Sequence, residues 1–104
     1  MADYHYESPF GMTATALHIT AYPRTATVSL EWNDQTGSIR FDNPSPLAPM
    51  TEMFGELIQF RVIDRNSRGE QRDFGRYLIE VWDEDNPIIT IDADGYAADD
   101  APVA

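Results

Sequence analysis

Apolar side chains recur at every second position over much of this chain, the spacing of strands that turn one face to a core. In Thr25–Trp32, Ala26, Val28, Leu30 and Trp32 share one face, and Thr25, Thr27, Ser29 and Glu31 share the other. Asn33-Asp34-Gln35-Thr36-Gly37 then supplies turn chemistry, and Ile39 and Phe41 alternate beyond it. A hairpin of residues 25–32 with 38–42 is therefore predicted. Upstream, residues 13–22 set Leu17, Ile19 and Ala21 against Ala16, His18 and Tyr22, with Tyr22-Pro23-Arg24 as the break before the next strand.

Residues 43–49 carry three prolines, which deny a sheet its ladder donors. Leu47, Met50, Met53, Phe54 and Leu57 follow near helical spacing. Ser45 is a candidate cap with Pro46 at the first helical position, while Pro49 and Gly55 shorten whatever forms. At most one short helix is expected near residues 46–56. Alternation returns with Ile58, Phe60 and Val62, then with Tyr77, Ile79 and Val81, and last with Ile88–Asp92. A polar loop at 65–73 and the turn Asp83-Glu84-Asp85-Asn86-Pro87 separate these runs. The fold class expected is mainly β: about six short antiparallel strands in a small sandwich or partly open barrel. Residues 1–93 read as a single domain, with 1–11 as an extended arm. Tyr4, Tyr6 and Phe10 suit that arm to adding a strand to an edge, in this molecule or another. Residues 94–104 lack periodicity and read as a flexible acidic tail.

Composition changes the picture mainly by exclusion. The 104 residues include no cysteine and no lysine; all seven basic residues are arginine, against 18 acids, for a net charge of −11. Disulfides, zinc–thiolate sites, cysteine nucleophiles and lysine Schiff bases are ruled out. Direct nucleic-acid binding by phosphate neutralisation is not expected from such a balance. The acidic N-terminal stretch lacks the features of a signal peptide, and no apolar run approaches the roughly 20 residues of a membrane span. A cytoplasmic protein without membrane contact is expected.

The charge is also uneven. Five of the seven arginines (Arg61, Arg65, Arg68, Arg72 and Arg76) lie in residues 61–76, whereas eight acids and no base follow Arg76. Intervening acids favour local ion pairing over phosphate capture, and Arg65, Arg68 and Arg72 remain candidates for a secondary interface. Asp92-Ala93-Asp94-Gly95-Tyr96 lacks the ligand before glycine and the closing glutamate of a calcium loop, so no metal site is expected. No cofactor is expected either, since the six glycines are too scattered for a phosphate cradle. A serine triad would have to draw on His5 or His18, with no nucleophile elbow near either. Catalysis is thus not expected.

Leu57, Ile63, Leu78 and Trp82 fall on nominally outer strand faces. Either a second layer covers them or they serve a partner, with Trp82 as anchor and neighbouring acids as rim. The leading expectation is a non-catalytic acidic module that binds a basic protein partner through Glu80, Trp82, Asp83, Glu84, Asp85, Asp92 and Asp94. A concrete form is an inhibitor whose carboxylates stand where phosphates would lie in a nucleic-acid-handling partner. Anti-restriction, anti-CRISPR and nuclease immunity proteins share this composition by analogy alone. The alternative is a self-associating homo-oligomeric subunit of a phage or secretion assembly. A small ligand-binding or catalytic β-barrel ranks third.

Overall fold

Eight strands and one 3-10 segment make up the computed structural model, which describes residues 4–65 and 75–98. In chain order they are β1 (Tyr6–Glu7), β2 (Thr13–Ala21), β3 (Arg24–Trp32), β4 (Gln35–Asp42), the 3-10 segment (Ala48–Met53), β5 (Gln59–Asp64), β6 (Tyr77–Trp82), β7 (Pro87–Ala93) and β8 (Gly95–Ala97). They form two antiparallel four-stranded sheets, β1-β5-β6-β7 and β2-β3-β4-β8. The two sheets pack as a sandwich, flattened to 38 × 37 × 23 Å.

Each sheet contributes alternate residues to the core. Ala26, Val28 and Leu30 face inward beside Ile39 and Phe41 of the paired strand. Opposite them lie Phe60 and Val62, Ile79 and Val81, and Ile89 and Ile91. Phe41 and Phe60 touch with ring centroids 6.0 Å apart. Burying each such ring is worth about 1.5–3 kcal/mol, which makes the pair a main anchor of the sandwich. Met12, Met50, Met53 and Ile58, all fully buried, extend this core. Two isolated bridges, Met12 with Ile58 and Ser45 with Asp92, tie the chain leading into or out of one sheet to the other.

The expected hairpin forms, with a tighter turn. Asn33 and Asp34 both take positive φ (50° and 63°), the requirement of a two-residue type I′ turn, so β4 begins at Gln35 rather than at residue 38. The short helix is a 3-10 turn that starts after Leu47, whose carbonyl accepts the Met50 N–H (3.0 Å), with Pro49 inside its first turn. Ser45 does not cap it; its backbone N–H and C=O pair with Asp92 instead. Two short strands bring the number from about six to eight. The N-terminal arm does add a strand to an edge, β1 on β5 of the same chain. Residues 95–97, expected in a flexible tail, pair with Arg40–Asp42 as β8, because Tyr96 has the core cluster to pack on.

Candidate partner-binding surface

The acidic turn between β6 and β7 is built by one of its own carboxylates. Asp83 Oδ1 accepts the backbone N–H groups of Asp85 (3.0 Å) and Asn86 (2.9 Å), and the Asp83 N–H donates to the Asn86 carbonyl (2.9 Å). Asp83 is thereby occupied in shaping the loop. Glu84 and Asp85 remain exposed at its tip. They border a groove of about 660 Å³ whose other lining residues include Phe10, Gly55, Glu56 and Leu57. Gly55, at φ +84°, makes the turn that follows the 3-10 segment and leads to Glu56 and Leu57. Phe10 is 41% exposed and Leu57 56%, two of the four large apolar side chains left exposed among the described residues, the others being Ile19 and Tyr22. Carboxylates and bare apolar surface thus meet in one concavity.

Trp82, expected as an anchor, is held in a stack within the molecule. The Arg61 guanidinium lies 4.3 Å from its ring centroid and 5.2 Å from that of Tyr4, an arginine stacked against two aromatic rings. Arg61 Nε also donates to Glu7 (3.0 Å), and Trp82 Nε1 donates to Glu80 (3.1 Å). Glu80 and Trp82 are half-buried on the outer face of the first sheet under this network. Ile63, on the same face, is only 7% exposed, Leu78 is half-buried, and Leu57 alone of the four outer apolar residues is bare.

The remaining expected site residues are dispersed. Arg65 donates Nη2 to Asp92 and Nη1 to the Gly75 carbonyl (2.9 Å), so each neutralises the other within the molecule. Asp94 accepts from Asn43 Nδ2 at 2.9 Å beyond the far end of β7. That end is separated from the Asp83 turn by a seven-residue strand, roughly 20 Å long. The acids of residues 80–94 therefore do not form one face: Glu84 and Asp85 belong to the groove, while Asp92 and Asp94 lie apart from it. Arg68 and Arg72 lie outside the described residues.

One cluster has no counterpart in the sequence reading. His5, Tyr6, Tyr77 and Tyr96 converge beside Ala97 and Ala98 around a hollow of about 370 Å³. His5 Nδ1 and Tyr96 Oη are 2.5 Å apart, and the Tyr77 and Tyr96 rings meet edge to face at 5.0 Å. Burial, with smaller effects from Tyr77, Tyr6 and Asp64, pushes the Tyr96 phenol up to about 12, and burial also raises Tyr6. Arg76 closes this end, pairing with the buried Asp64 through Nε (3.2 Å) and Nη2 (3.0 Å) and lying 5.1 Å from the Tyr77 centroid. The other histidine, His18, stands exposed on β2, the first strand of the other sheet.

Among the described residues no group of three or more His, Cys, Asp or Glu side chains is placed to hold a metal ion, and no helix is long and apolar enough to cross a membrane. Comparison with protein-family models, curated proteins and solved structures gives no match, so the reading of this surface rests on its own residues.

Proposed function

We propose that the protein is a non-catalytic binding module whose groove, lined by acidic and apolar side chains, receives a basic segment of a protein partner. The observation that carries this reading is the meeting of Glu56, Glu84 and Asp85 with the exposed Phe10 and Leu57 in one groove. Exposed apolar groups give contact energy, and the carboxylates select a cationic neighbour and speed its encounter. The occupant that matches is an arginine- or lysine-bearing segment with an adjacent apolar side chain. In the inhibitor form of this function, that segment belongs to a nucleic-acid-binding surface, which the net charge of −11 would engage in place of phosphates.

A synthetic peptide alternating arginine and leucine is the probe. Glu56→Gln, Glu84→Gln and Asp85→Asn combined should weaken binding about tenfold at low salt, from three exposed charge contacts of about 0.2–1 kcal/mol each. The same triple variant should flatten the dependence on salt. Phe10→Ser with Leu57→Ser should weaken binding and leave the salt slope intact. If both variants bind as the parent does, the groove is not the binding site.

A further inference from the structure

Antiparallel sheets of this kind leave four strand edges, and three of them are short or covered. β1 spans two residues and β8 three, while β7 is bridged by Ser45 and packed by the 3-10 segment. β2 differs: it spans nine residues, and no strand lies beyond it among the described residues. Edge strands are ordinarily protected by lysine, proline or inward-pointing charge. Thr13–Ala21 contains none of these and, His18 aside, no ionisable side chain, in a chain that carries 25 charged residues, 18 acidic and 7 basic. Its only interruption is the bulge between Ala14 and Ala16, which leaves Ala16–Ala21 in regular register with β3.

We infer that the protein self-associates through this edge, β2 pairing antiparallel with β2 of a second copy about His18, to give a continuous eight-stranded sheet. Three observations select a second copy as the occupant. Parity is the first. Leu17 and Ile19 pair with the inward residues Val28 and Ala26, so they share the core-side face. A two-fold axis through His18 keeps that face common to both copies and sets Leu17 against Ile19 of the second copy, twice over. The second is apolar exposure: Ile19 is 46% exposed and Leu17 half-buried, so the core-side face of β2 is incompletely covered. The third is charge. Residues 12–42 hold two arginines (Arg24, Arg40) and three acids (Glu31, Asp34, Asp42), a net of −1, which leaves −10 of the −11 to the rest of the chain. Two strongly acidic molecules can approach along this nearly neutral region with little repulsion. The pairing is independent of the acidic groove, whose residues lie outside 12–42.

The absence of native cysteine makes the test clean. Sedimentation of the full chain should show dimer growing with concentration into the hundreds of micromolar. Ile19→Lys should weaken dimerisation at least tenfold, with unchanged circular dichroism and melting temperature. Under mild oxidation His18→Cys should form a disulfide-linked dimer, because directly opposed Cβ atoms approach to about 4.5–5.5 Å. Thr27→Cys, opposite His18 but one strand further in, should not, since such residues are too far apart to bridge. A chain that stays monomeric throughout overturns the inference. So does a dimer that survives Ile19→Lys, or one in which His18→Cys fails to cross-link.

Discussion

Ser8 shows how one small side chain fixes an otherwise loose arm. It is 1% exposed; its N–H donates to the Phe60 carbonyl, and its hydroxyl oxygen accepts the Phe60 N–H at 2.8 Å while donating to Pro9. The side chain therefore completes a ladder that β1 is too short to finish. Ser8→Ala leaves the buried Phe60 N–H without its acceptor and should cost about 1–3 kcal/mol in denaturant unfolding. A loss below a few tenths would mean that water or a shifted arm replaces the bond. Tyr96 gives a second residue-scale expectation, with a definite sign. Its folded-state value, about 12, exceeds the unfolded one near 10, so the folded chain holds its proton more firmly. The resulting stability is complete below pH 10 and is lost as pH rises toward 12. Melting temperatures measured across that window should fall, and fall less in Tyr96→Phe, which has no phenol to titrate.

Elements were legible wherever burial is one-sided. The alternation in residues 25–32, 58–62 and 77–81 survives unchanged in β3, β5 and β6, because in each case one face meets the opposite sheet. What escaped is whatever depends on partners distant in sequence. Neither Tyr6–Glu7 nor Gly95–Ala97 is long enough to show a period, and each is a strand only because β5 or β4 offers it an edge. The groove escaped for the same reason: Phe10, Leu57 and Glu84 belong to three separate connections that the sandwich brings together. Conversely, the acids between Glu80 and Asp94 fall within fifteen residues of sequence, yet Asp92 and Asp94 are separated from the others by most of the length of β7. The β3–β4 hairpin carries a prediction at this scale. Asp34 sits at the second central position of its turn with φ 63°, where glycine is unstrained. Asp34→Gly should raise stability by up to about 1 kcal/mol, measured by denaturant unfolding. An unchanged or lower midpoint would show that the Asp34 side chain supports the turn in a way its backbone angle does not reveal.

At the scale of the whole molecule, stability and binding should respond to salt in opposite directions. Arg40–Asp42, Arg61–Glu7, Arg65–Asp92 and Arg76–Asp64 are the attractive pairs resolved among the described residues. Against them stand Glu31, Asp34, Glu52, Glu56, Glu84 and Asp85, exposed and without an ion-pair partner there. Raising ionic strength from about 0.02 to about 0.5 M shortens the screening length from roughly 20 to roughly 4 Å. Close pairs at 3 Å, two of them partly shielded from solvent, lose little by this, whereas repulsion summed over longer separations nearly vanishes. The melting temperature should therefore rise with sodium chloride. A relief of about 1 kcal/mol corresponds to about 4–8 °C in a domain of this size. Glu84→Gln with Asp85→Asn should raise the melting temperature at low salt and shrink its salt dependence, because part of the repulsion is already gone. A melting temperature that falls with salt would mean that the ion pairs outweigh the excess charge. Binding of a basic peptide should weaken over the same titration, since its attraction uses the charges whose mutual repulsion is being screened. The excess of acid thus burdens the free chain, a cationic partner of the kind proposed would relieve it, and the two slopes, measured on one preparation, should have opposite signs.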